Sequence, residues 1–340
     1  MLFRHLSGEE RKTIRKICDR GISNRARRKR KNGYAALWRE KDVISGEKID
    51  AMAVVLRTSG CSWSEKGNCS MCGYFVDSGE TTPIMEQFER ALLQQGNERM
   101  LKIYNSGSFL DGDEIACDVQ KEIISRAGEV FDRVLIESRP EFVKEEWLAE
   151  LKEHANLELA IGLESASDEA LVHSINKGFR FSDYEKAAKV LNSVGIPLRT
   201  YLLLKPLFMS EKEAIRDVVS SIHLSEQFSE TISINPMNIQ NFTFVEHLFR
   251  KRQYAPPYLW SVLEALKTDS TARLISSPSG GGTRRGAHNC GMCDRSILSR
   301  IEEFSLTQDK ALLDFECECR EEWKDMLVLE DAVQASLREN

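Results

Sequence analysis

Six short apolar segments recur along the 340-residue chain with a helix-length stretch between successive ones, and this alternation limits the fold more than any other feature. They are MAVVLRT (52–58), LKIYN (101–105), RVLIES (133–138), LELAIGLES (157–165), PLRTYLLLK (197–205) and TISINP (231–236). Each is rich in Leu or β-branched residues and is closed by Gly, Pro, Asn or Ser, the pattern of a buried strand. Helices are expected between them at about 85–95, 113–127, 144–153, 167–176 with 182–194, and 210–226. Strands alternating with helices join through right-handed crossovers into a parallel sheet covered on both faces. Eight such units close a barrel, whereas six leave a curved, partly open one, with its ligand site at the C-terminal strand ends. The expected class is therefore α/β, a partial (β/α)6 barrel.

The first of these strands runs into GCSWSEKGNCSMCGYF (60–75), which holds Cys61, Cys69 and Cys72. Nine cysteines, odd in number and unevenly spaced, favour metal binding over disulfides in a reducing compartment. A structural zinc site needs four ligands, so here it would need a distant fourth, such as Cys18 or Cys117. A [4Fe–4S] cluster uses the count better, because three thiolates leave one iron open for a substrate or cofactor. The chemistry this suggests is reductive cleavage of S-adenosylmethionine (SAM), whose amino and carboxylate groups chelate that iron. Met71, Tyr74 and Phe75 are placed to pack on the cluster or the adenine, and Cys117, within a predicted helix, reads as core.

The triad, the βα units, ESRPEFV (137–143) and IGLESASDEALVHSINKGF (161–179) resemble the radical SAM superfamily, in the branch that contains the elongator catalytic subunit. Within it the chain is most similar to the family of radical SAM subunits of archaeosine synthase, through TSGCSWSEKGNCSMCGYFVDS, HNCGMCD and FECECREEW. The resemblance implies that Cys61, Cys69 and Cys72 hold the [4Fe–4S] cluster. It also implies SAM contacts from Asn105 and Ser106 near the methionine amino group, Glu164 at the ribose, Glu137 or Ser138 beside the same pocket, and Arg199 on the carboxylate. The implied reaction is archaeosine formation in the tRNA D-loop. A partner transferase subunit adds lysine to 7-cyano-7-deazaguanine, and a 5′-deoxyadenosyl radical, made with an electron donor, triggers C–N cleavage. The alternatives are sulfur insertion or carboxymethylation of tRNA by a related enzyme, or a non-catalytic zinc protein that binds tRNA.

Towards the C-terminus, Cys290 and Cys293 form C-x2-C and Cys317 and Cys319 form C-x-C, with His288 nearby. Four thiols in two pairs read as a closed tetrahedral zinc site, and the same four would ligate an auxiliary cluster. Residues 11–41 carry thirteen Lys or Arg against two acids, while the whole chain is at −6. The run RARRKRK (25–31) is either a solvated face or a phosphate contact, with Tyr34 and Trp38 beyond it as possible base-stacking groups and Arg284, Arg285 and Arg295 as further contacts. The expected organisation is a basic extension (1–48), the barrel (49–245) and a helical, cysteine-rich metal-binding module (246–340). No apolar run reaches the ~20 residues of a membrane span and no secretory signal is visible, so the expected location is cytoplasmic.

Overall fold

The computed structural model describes residues 4–25, 33–79 and 82–338. All six expected strands are present, inside an eight-stranded sheet whose spatial order follows the chain. The strands are β1 (Ala36–Ile44), β2 (Glu47–Val55), β3 (Met100–Tyr104), β4 (Arg133–Glu137), β5 (Leu157–Glu164), β6 (Leu198–Leu204), β7 (Thr231–Pro236) and β8 (Arg273–Ile275). From β2 to β8 every neighbouring pair is parallel, and β1 lies antiparallel on β2. The ordered sheet curls into an open half-barrel.

The helices are α1 (Gly8–Arg25), α2 (Ser62–Lys66), α3 (Ile84–Leu92), α4 (Cys117–Gly128), α5 (Glu145–Lys152), α6 (Asp168–Ala170, continued by a π-turn at Leu171–Ile175), α7 (Phe181–Val194), α8 (Glu211–Ser225), α9 (Phe244–Arg250), α10 (Leu259–Leu266), α11 (Asp294–Thr307) and α12 (Cys319–Arg338). None of them is long and apolar enough to cross a membrane.

Two strands go beyond the expected six. β1 and β2 form a hairpin across Ser45 and Gly46, both at positive φ (50° and 83°), the two-residue turn whose twist suits paired strands. The last residues of the basic stretch, 36–41, thus belong to an edge strand, ALWREKDVI, in which Arg39 and Lys41 are exposed and Asp42 is buried. β8 has three residues and extends the sheet beyond β7. Tyr34 is buried in the main core, so it is not a stacking platform. Trp38 stacks on Tyr104 at 5.8 Å. The run at Arg27, Arg28 and Arg30 lies outside the described residues.

Burial explains the composition of the strands. In β3, β4 and β6 the side chains that face the helices join one large apolar core with α3, α4, α5, α7 and α8. A smaller cluster, Ile49, Ala51, Met100, Leu135 and Ala160 with Tyr104 and Tyr201, fills the lumen. At the end where strands begin, the lumen is closed by ions. Arg199 Nε meets Glu158 at 2.7 Å and its Nη1 meets Asp42 at 3.0 Å, while Lys102 meets Asp42 at 2.5 Å and also Glu40. Burial opposes the charge of Asp42, but Arg199 and Lys102 outweigh it and hold the carboxyl far below its usual range. Losing one member of such a set strands a buried charge, at a cost of about 3–5 kcal/mol.

Candidate functional site

The opposite end of the barrel is built from the loops after the strands. Behind β2 the chain passes Cys61, which caps the short α2, and turns through Asn68 (φ 64°) to Cys69 and Cys72. This loop is stitched to the π-turn after β5. Ser70 N donates to Ile175 O at 2.8 Å, Asn176 Nδ2 to Asn68 O at 2.7 Å, and Trp63 Nε1 to Asn176 O at 2.9 Å. α1 lies on the same loop, with Arg15 donating to Ser64 O at 3.0 Å and Arg11 to Val172 O at 2.8 Å. Several charges of the basic stretch therefore hold structure together.

Cys61 lies within electrostatic reach of both Cys69 and Cys72. Burial pushes Cys69 up to about 11 while Lys177 and Arg139 pull against it, and burial raises Cys72 further still. Such thiols keep their protons until a metal replaces them. Neither proposed distant ligand joins them. Cys18, on the buried face of α1, has its Sγ on Ser64 O, and Cys117, expected in the core, is the exposed first residue of α4. Phe75 packs against Cys18 of α1, and Met71 is half-buried in the core. Tyr74 keeps 59% of its surface exposed, yet enough protein surrounds its phenol that desolvation, then Cys72 and Glu137, raise its pKa to about 12.

Ser106 reaches the cysteine loop, and Asn105 beside it turns to Glu114. Ser106 Oγ donates to Tyr74 O at 3.1 Å. Beneath them sits Glu114, a buried carboxylate that accepts from Asn105 Nδ2 (2.7 Å), Ser108 N (2.6 Å) and Thr58 Oγ1. Burial raises its pKa against these donors. Gly107 fits because it lacks a side chain: a Cβ there would collide with Glu114 Oε2 and lie 2.7 Å from Cys61 Cα. Asn105 Oδ1 is buried with no hydrogen-bond partner, an acceptor left over for a bound group.

Glu164 closes β5 at a register shift with φ 71°, a strained conformation of the kind stored at functional sites. Its carboxylate meets Lys177 Nζ at 2.8 Å. Burial works against the Lys177 ammonium, but Glu164 and Cys69 raise its pKa overall. Glu137, at the end of β4, has no salt bridge among the described residues. Burial pushes it up to about 7, although Tyr201 donates to it, and Glu164 adds repulsion. Ser138 is turned inward, with its Oγ on Arg139 O at 3.1 Å. Arg199 does not come to this end, because its guanidinium belongs to the ion set at the barrel floor.

Arg139, Lys177 and Glu114 are the side chains that sequence reasoning did not single out. Arg139 lies over Trp63 and Phe179 (5.7 and 5.2 Å) and donates to Lys177 O at 3.1 Å. The first two stand inside the phrases ESRPEF and SINKGF, so the signal was present.

In the C-terminal module, Cys290 Sγ lies 3.6 Å from Cys293 and 3.9 Å from Cys317, and Cys319 Sγ lies 3.7 Å from Cys293 and 3.5 Å from Cys317. All four fall within 4.8 Å of one another. A tetrahedral ion bound at about 2.3 Å per sulfur sets its ligands about 3.8 Å apart, so the set fits one ion. Trp260 Nε1 and Asn289 Nδ2 point at Cys319 and Cys293 at 3.4 and 3.5 Å, as donors that favour thiolates. The N–H groups of Cys293 and Met292 draw Cys290 down to about 7. His288 turns away to Gly286 O.

The radical SAM superfamily domain matches residues 55–218. Archaeosine synthase subunit beta of Methanosarcina acetivorans is 40% identical over 317 residues, covering 88% of this chain and 91% of that protein. The chain belongs to the archaeosine synthase subunit beta family, within the radical SAM superfamily. The Thermococcus kodakarensis archaeosine synthase subunit beta is 36% identical over 310 residues, covering 84% of this chain and 94% of that protein. A solved queuine lyase from Clostridium spiroforme, bound to SAM and queuine, is 20% identical, with 58% of this chain and 80% of that one aligned at a TM-score of 0.45.

Membership in this superfamily implies a [4Fe–4S] cluster and SAM. The donor chemistry fits: three cysteines on one loop, with Cys61 and Cys69 within electrostatic reach of Cys72, and Asn105 Oδ1 left without a hydrogen-bond partner on the loop after β3.

Proposed function

We propose that this chain is the radical SAM subunit of a tRNA-modifying enzyme, converting a lysine adduct of 7-cyano-7-deazaguanine in the D-loop to archaeosine by C–N cleavage. A partner transferase subunit attaches the lysine, and an external donor supplies electrons. The [4Fe–4S] cluster and SAM, when bound, supply a 5′-deoxyadenosyl radical. Cys61, Cys69 and Cys72 hold the iron, and Glu114 keeps Asn105 and Ser106 beside them. Asn105 Oδ1 accepts from the cofactor's amino group, and Glu164, oriented by Lys177, accepts from its ribose hydroxyls. Glu137 and Tyr74 line the mouth on the substrate side, and the packed lumen beneath keeps water out. Zinc in the four-thiol site fastens α10, α11 and α12 together.

The observation that carries this reading is 40% identity over 317 residues, covering 88% of this chain and 91% of that protein. The test is anaerobic incubation with lysine-modified tRNA, SAM and dithionite, followed by mass spectrometry of the nucleosides. Archaeosine as the product supports the reading. A thiolated or carboxymethylated nucleoside, or unchanged substrate despite 5′-deoxyadenosine release, defeats it.

A further inference from the structure

α9 is fastened at one end to the cysteine loop. Phe244 N and Val245 N both donate to Ser70 O (3.0 and 3.2 Å), and Gly73 N donates to Gln240 Oε1 at 2.6 Å. At the other end of this seven-residue helix, a distance of about 10 Å at 1.5 Å per residue, the surface opens into a groove of about 510 Å³. Arg250, Arg252, Arg284, Gln253 and Tyr254 line it, with Glu330 as its acid. Glu330 is committed inward, to Lys205 Nζ at 3.0 Å and Glu211 N at 2.8 Å. Arg250 reaches Glu246 at 2.9 Å but keeps 71% of its side-chain surface exposed. Arg252, exposed and at φ 60°, and Arg284, also exposed, have no side-chain hydrogen bond or ion pair among the described residues. Exposed Lys251 continues the positive surface.

Two unpaired guanidiniums and a third half-committed one, in a concave site, form an anion seat. The planar fork of arginine suits a phosphate, which it can bind through two parallel hydrogen bonds. Enzymes that act on a base extrude it while gripping the backbone on either side, which needs phosphate contacts a short distance from the catalytic mouth. We infer that this groove seats the RNA phosphodiester backbone flanking the nucleotide that enters the mouth, with Arg252 and Arg284 as its principal contacts. The identity of the RNA as tRNA rests on the function proposed above; the phosphate chemistry does not.

The experiment is fluorescence anisotropy of the full-length protein with a labelled tRNA transcript and, separately, an unrelated single-stranded RNA, from 50 to 200 mM salt. The test variant is Arg252→Ala/Arg284→Ala. The control is Lys121→Ala/Arg126→Ala, which removes the same charge from α4 on another face. The groove variant should bind at least tenfold more weakly and lose roughly 1.4–1.8 from its log–log salt slope, two phosphate contacts' worth, while the control stays at wild type. Its RNA-independent release of 5′-deoxyadenosine should be unchanged. Wild-type affinity and slope in the groove variant, or an equal loss in the control, overturn the inference, as does retained RNA binding with loss of a protein partner. Should the groove variant lose RNA while wild type makes no archaeosine, the groove stands and the proposed reaction falls.

Discussion

Replacing Glu137 by Gln should stabilise the protein, and by an amount that depends on pH. Glu137 ends β4 inside the mouth, where burial raises its pKa from 4.5 to about 7 despite a hydrogen bond from Tyr201 and the fields of Lys177 and Arg199. A carboxyl whose pKa is raised on folding binds more protons in the native state than in the unfolded one. Stability therefore falls as pH rises from about 4.5 and levels off above about 7. A shift of that size amounts to an upper limit of about 3 kcal/mol. Gln keeps the acceptor for Tyr201 and cannot ionise, so the advantage of the variant should grow by about 2–3 kcal/mol between pH 5 and pH 8.5. For a chain of this length that is a relative rise in Tm of roughly 3–4 °C, read by anaerobic thermal unfolding of both proteins at each pH. An advantage that is constant with pH, or that shrinks on the alkaline side, would refute the enclosure of this carboxyl and with it the walls assigned to the mouth.

Gly107→Ala should lower SAM affinity at least tenfold with the far-UV spectrum intact, because the new methyl group meets Glu114 and the Cys61 backbone; wild-type titration calorimetry would count against the packing described. Cys319→Ser should remove one equivalent of zinc by elemental analysis, lower Tm and leave the iron of the cysteine loop in place. A second iron–sulfur signal lost with Cys319 would instead contradict a one-ion site. Arg199→Met should cost about 3–5 kcal/mol by stranding Asp42 and Glu158, and whatever folds should bind SAM normally; a selective loss of SAM binding would return Arg199 to the cofactor.

The central strands were legible because a sheet buried on both faces requires near-continuous apolar runs, and RVLIE and LELAIGLE satisfy that requirement. β1 was hidden because an edge strand tolerates Arg, Glu and Lys, so charge spoke louder than alternation in ALWREKDVI. Cysteine spacing located the four-thiol cluster, since ligand count is local chemistry. Whether a polar residue points to the rim or the floor is a matter of register. Arg199 is the second residue of β6, and from there it reaches Asp42 near the hairpin turn rather than the loops above. Glu114 escaped notice because nothing in its neighbourhood of sequence shows that three donors from Thr58, Asn105 and Ser108 converge on it.

The most direct test of the account is the fate of SAM. Protein reconstituted anaerobically with iron and sulfide and reduced with dithionite should release 5′-deoxyadenosine, and Cys69→Ala should release none while retaining its C-terminal zinc. Continued 5′-deoxyadenosine formation by Cys69→Ala would contradict the assignment of Cys61, Cys69 and Cys72 as the thiolates that hold the cluster.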